Sequence, residues 1–154
     1  MIRKILVLMV IGIVGANLTA QIPIVYKELA LDPKLCWQIK NFEVVHSLSE
    51  LKDIPLKYKA PCETLNYGKI NFDTQSVIIC SQYVRNGAEG IKSTRVEVLR
   101  NDKRKRIDVF FAAFGSAIVQ RPGKVFENRK VLLLPKFPAD YKVEVHYSLK
   151  VLEL

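Results

Sequence analysis

From Lys142 to Val151 polar and apolar residues alternate without a break, with Val143, Val145, Tyr147, Leu149 and Val151 set against Lys142, Glu144, His146, Ser148 and Lys150. Successive side chains of a strand point to opposite faces, so this pattern fits a strand with one buried and one wet face and does not fit a helix. Such a strand needs neighbours, because its backbone N–H and C=O groups must be paired.

Other segments supply them. Thr94 to Arg100 puts Val96 and Val98 on one face, and Arg106 to Phe111 does the same with Ile107, Val109 and Phe111. Asn101 to Lys105 between them reads as a hairpin tip. Ile70 to Phe72 and Val77 to Tyr83 are rich in strand formers, and Asn86-Gly87 marks a turn after the second. Val131 to Leu134 is a continuous apolar run, which suits a strand covered on both faces. Residues 37–46 give an earlier strand ending at Phe42-Glu43-Val44-Val45-His46. Ser47 and Glu50 then have the spacing of a capping box, Leu48, Leu51 and Ile54 follow at helical intervals, and Pro55 is expected to stop the helix. About six strands and one short helix predict a mainly β domain, a single antiparallel β-sandwich or partly open barrel.

Composition agrees with one domain. The 154 residues are 49% hydrophobic, which is too apolar for a disordered chain, and 7 glycines without a tripeptide repeat exclude a collagen-like one. The start has its own logic. Arg3 and Lys4 precede an apolar stretch from Ile5 to Ala16, and small residues follow up to Ala20. That is the form of a secretory signal peptide, and the stretch is too short for a membrane span. Cleavage is expected after Ala20, with Ala16 as the alternative. The expected organisation is a signal peptide over 1–20, an arm over 21–35 limited by Pro23 and Pro33, and a single β-rich domain over 36–154. The destination is secretion, the periplasm or the cell envelope, with no membrane span after cleavage.

The order of the pieces carries a resemblance. His46-Ser47-Leu48-Ser49-Glu50-Leu51, then Ile70-Asn71-Phe72-Asp73, then Val77-Ile78-Ile79, then Leu133-Leu134-Pro135-Lys136-Phe137-Pro138 and a last strand resemble a group of uncharacterised secreted or lipid-anchored bacterial β domains. More distantly they are similar to the domain of the protease-complex subunit PrcB. The likeness covers about residues 36–148, with Asn71 where the pattern has Asp, and with no Cys in residues 81–120, where the pattern often has Cys-containing hairpins. Cys36, followed by Trp37, and Cys62 match cysteine positions of the pattern. The resemblance implies secretion and an accessory or binding domain, and it supplies no catalytic residue.

Cys36, Cys62 and Cys80 allow three single bridges. Cys36–Cys62 is the first expectation; it would stabilise the fold by about 3 kcal/mol in the chain-entropy account. Cys62–Cys80 and three free thiols stand beside it. Cys80 lies within an apolar strand and reads as a small buried hydrophobe.

No catalytic motif appears. There is no Cys-x-x-Cys or His-x-x-x-His for a metal, no Gly-x-Ser-x-Gly, and no phosphate or dinucleotide loop, so no metal, cofactor or catalytic residue is assigned. His46 reads as a capping or packing residue beside the helix start, and His146 as a solvated one. The formal charge of +9 concentrates at Arg100, Lys103, Arg104, Lys105 and Arg106, a candidate anion contact. No aromatic residue interleaves that run, and the expected export also disfavours nucleic acid. Pro135-Lys136-Phe137-Pro138 reads as a rigid crossover rather than a peptide ligand. The function expected is a secreted, non-enzymatic accessory or binding β domain that contacts another protein or a cell-surface component. A small secreted hydrolase or protease inhibitor is the alternative, and anion-mediated surface attachment through the basic hairpin is a third.

Overall fold

The computed structural model describes residues 21–29, 41–57, 70–85, 91–116 and 125–152. Among them are β1 (Ile22–Pro23), β2 (Lys27–Leu29), β3 (Phe42–Val45), α1 (Leu48–Lys57), β4 (Gln75–Arg85), β5 (Ile91–Asn101), β6 (Arg106–Ser116), β7 (Val125–Pro135) and β8 (Lys142–Leu152). They form two four-stranded sheets. Sheet A has the order β1-β5-β6-β8 and sheet B the order β2-β7-β4-β3. The described residues are thus mainly β, with one short helix and no closed barrel among them. The signal-peptide and Cys36–Cys62 expectations lie outside the described residues. No helix among those residues is long and apolar enough to cross a membrane.

Strand periodicity explains the layering. Ile78, Cys80, Leu132 and Leu134 of sheet B meet Val98, Ile107, Val109 and Phe111 of sheet A in one buried cluster that also takes Phe137. The alternate residues of the same sheet B strands, Val77, Ile79, Val131 and Leu133, pack with Val45, Leu51 and Ile54 in a second cluster under α1. Sheet B is therefore buried on both faces, which is why Val131 to Leu134 has no polar residue. Each fully buried Val, Leu or Ile contributes about 1.5–3 kcal/mol relative to exposure.

Most neighbours are antiparallel, but β6 and β8 pair in parallel from Arg106↔Lys142 to Ser116↔Leu152. Between them β7 runs in the opposite sheet, and residues 136–141 carry the chain back. Phe137 enters the core there, and Tyr141 N donates to Pro138 O at 3.1 Å, so the Pro-Lys-Phe-Pro segment is a crossover. On β8 the inward residues Val143, Val145 and Tyr147 are half-buried, whereas Leu149 is 39% exposed, so the buried face ends at Tyr147.

Two local expectations need correction. Pro55 does not stop α1, which continues to Lys57. Proline removes one helical N–H and crowds the carbonyl four residues back, a cost this helix tolerates with Leu51 and Ile54 anchored beneath it. Ile70 to Phe72 is not a strand and leads into a turn over residues 72–74. Asn71 Oδ1 accepts from Asp73 N at 3.0 Å and Asn71 O from Thr74 N at 3.1 Å, and this local bonding overrides the strand propensity. The arm carries the short strands β1 and β2, one in each sheet.

Candidate functional site

Two clusters of polar and aromatic side chains stand out, one on each sheet. The first gathers the sequence motifs. Ser47 Oγ accepts from Glu50 N at 3.2 Å, while the Glu50 carboxylate accepts from His46 N at 2.6 Å, so the capping box closes with its carboxylate one residue further out than Ser47. Lys136 Nζ donates to His46 O at 2.6 Å and to Phe72 O at 2.8 Å. His46 meets Phe137 edge to face at 4.9 Å. The segments quoted for the resemblance thus converge on one another and tie α1, the turn and the crossover to the end of β4.

That cluster holds a Ser–His pair. His46 Nδ1 lies 3.1 Å from Ser76 Oγ, which also accepts from Phe137 N at 3.4 Å. Burial pulls the His46 pKa below 6.5; the Glu50 charge opposes this and Lys136 adds to it. Ser76 is fully buried. A hydroxyl sealed from solvent and bonded on both sides has no path to a substrate carbonyl, so the pair acts as a latch.

The second cluster lies on the outer face of sheet A. The register places Asp108 between Leu99 and Glu144, Phe110 between Glu97 and His146, Ala112 between Arg95 and Ser148, and Phe114 between Ser93 and Lys150. The Asp108 side chain is only 1% exposed. It accepts from Arg106 Nε at 2.9 Å, His146 Nε2 at 3.0 Å and Gln21 Nε2 at 3.4 Å, which answers the cost of burying a carboxylate. Arg106 also reaches Glu144 at 3.4 Å, and Lys142 reaches the other oxygen of Glu144 at 2.7 Å. The Lys142 bond, with Arg106 adding, holds the Glu144 carboxyl below its usual range. Donor atoms of Asp108, Glu144 and His146 lie within 4.8 Å of one another, close enough for a cation. The Arg106 guanidinium bridges both carboxylates and already supplies that positive charge.

Beside this network His146 stacks on Phe110, with ring centroids 4.7 Å apart and an 18° interplanar angle. Phe110 is 39% exposed, and Lys150 Nζ stands 5.9 Å over the Phe114 ring. An open groove of about 320 Å³ is lined by Arg95, Glu97, Phe110, Ala112, Phe114, Ser148 and Lys150. Sequence reasoning missed this face. The available signal is that Val109 to Phe114 contains no polar residue, so the wet positions 110 and 114 carry phenyl rings.

The basic run is at the β5–β6 tip. Asn101 Oδ1 accepts from Arg104 N at 3.0 Å, and Lys105 takes a left-handed conformation at φ 47. Arg100 pairs with Asp102 and lies 5.2 Å from the Tyr141 ring centroid. Lys105 pairs with Asp140 at 2.7 Å, and Arg106 belongs to the Asp108 network. The acids near the tip thus engage three of the five cations, while Lys103 and Arg104 project into solvent. Cys80 is a free, buried thiol whose pKa burial pushes up to about 12, which makes it inert at neutral pH.

No family model matches the chain, and no curated protein or solved structure does.

Proposed function

We propose that the protein is a secreted, non-enzymatic binding domain that contacts another protein or a cell-surface component through the outer face of sheet A. The observation that carries this reading is an asymmetry. Both faces of sheet B are buried, one by sheet A and one by α1, whereas the outer face of sheet A exposes Phe110 beside unpaired cations. Exposed aromatic residues with Arg nearby are the composition of interface cores. The export signal and the likeness to secreted accessory domains point the same way.

Site-directed photo-crosslinking in the native envelope tests it. A crosslinker replacing Phe110 is expected to capture a reproducible partner, and one replacing Lys52, an exposed residue on α1, is not. Equal yields from the two positions, or none from Phe110, would contradict the reading.

The hydrolase alternative retains one specific observation: the Asp108–His146 pair borders the groove, and Ser148 lies one register row away. His146 Nε2 faces Asp108 and makes no bond to Ser148. If this pair were catalytic, His146→Gln would abolish ester hydrolysis by the purified protein; the binding reading predicts no such hydrolysis in either form.

A further inference from the structure

The middle of β6 makes a depression in the outer face of sheet A. Phe110, Ala112 and Phe114 project from the same side of the strand, with a methyl group between two rings. Alternate residues on one face lie about 6.8 Å apart, so the rings leave room for about one side chain over Ala112. The row Arg95–Ala112–Ser148 crosses this floor.

The rim differs in chemistry from the walls. Arg95 on β5 and Lys150 on β8 are exposed and form no ion pair among the described residues, whereas Arg106 and Lys142 on the same face are paired with Asp108 and Glu144. Glu97 is the single carboxylate in the lining. One face of Phe110 lies against His146, and the Phe114 ring lies under Lys150, so each ring has one partner within the domain. Arg95 and Lys150 on the two flanking strands favour an acidic occupant, and the gap over Ala112 admits one side chain. A second copy of the chain is a poor occupant, because a two-fold contact would bring the same cations together on a chain of net charge +9, or +7 without residues 1–20.

We propose that this groove binds an acidic segment of a partner protein, which inserts one bulky apolar side chain over Ala112 and sets its flanking carboxylates against Arg95 and Lys150. The proposal rests on the binding-domain reading and adds the chemistry of the partner. A central apolar anchor supplies affinity, and the surrounding charges supply orientation and selectivity.

The test is a titration of the ¹⁵N-labelled protein with three capped peptides: Asp-Glu-Leu-Glu-Asp, Asp-Glu-Ala-Glu-Asp and Lys-Lys-Leu-Lys-Lys. The first is expected to give saturable shifts centred on Phe110, Ala112 and Phe114. The alanine peptide should bind about tenfold more weakly, in line with the lost burial of one leucine. The basic peptide should give no shifts. Ala112→Leu fills the depression and should abolish binding with the rest of the spectrum unchanged. Arg95→Glu with Lys150→Glu should reverse the charge preference, which keeps the test independent of the filled variant. Shifts centred elsewhere, equal binding of the three peptides, or saturation of the groove by a galacturonate oligosaccharide with the peptides silent would overturn the proposal. Silent peptides with an efficient crosslink from Phe110 would defeat the anchor chemistry alone, and silent peptides without that crosslink would defeat the binding-domain reading as well.

Discussion

The two histidines of this chain have similar neighbours and opposite situations. His46 contacts a hydroxyl and a phenyl ring, and His146 contacts a carboxylate and a phenyl ring. The first ring partner, Phe137, is 2% exposed and the second, Phe110, is 39% exposed. His46 therefore belongs to a junction that closes the fold, and His146 to a face that the fold leaves open. The difference follows from what covers each sheet. Sheet B has α1 over its outer face, and the crossover through Lys136 and Phe137 bonds to the end of β4. On the outer face of sheet A Arg106 and Lys142 neutralise Asp108 and Glu144 laterally, and nothing among the described elements lies on top.

That contrast predicts a graded set of mutational effects. The largest is at the closed junction. Phe137→Ala removes a buried ring and should cost about 3–5 kcal/mol, read by urea denaturation. A cost near zero would mean that the crossover does not hold the sheets together. Next is Asp108→Asn, which leaves Arg106 and His146 without their shared buried carboxylate. A cost of about 2 kcal/mol is expected, less than for a fully buried pair because both partners reach solvent. An increase in stability would show that the network serves something other than folding.

A smaller effect separates the two histidines by pH. Burial holds the folded-state pKa of His46 below the usual histidine value of 6.5, so the unfolded chain binds the proton more readily. The stability from neutral His46 is fully present above 6.5, declines as pH falls through the interval between the unfolded and folded values, and levels off below the folded one. Denaturation from pH 7.5 to 5 should show a steeper loss for the native chain than for His46→Gln. Parallel curves would remove His46 from the account.

Much of the closed region was legible in the sequence. The capping box, the gapless run over Val131 to Leu134 and the alternation on β8 are local patterns with one physical reading each. Pro55 and Ile70 to Phe72 misled because propensity is a weak prior against anchoring contacts and side-chain-to-backbone bonds. The open region was not legible. Asp108 and Glu144 look like scattered acids along the chain and become neighbours only through the parallel register of β6 and β8. A parallel pair needs a crossover, and nothing in its two strands announces which pairing the chain adopts. Phe110 and Phe114 sit within an apolar stretch whose alternation is hidden because both faces carry apolar residues.

The central claim is that the groove around Phe110, beyond the Asp108 network, takes no part in closing the fold. The unfolding free energy of Phe110→Ser tests it most directly. The account predicts a loss of no more than about 1 kcal/mol, the worth of the stack on His146. A loss of about 3 kcal/mol or more, as for a core ring, would show that the chain covers the rest of this ring and that the face is not open to a partner.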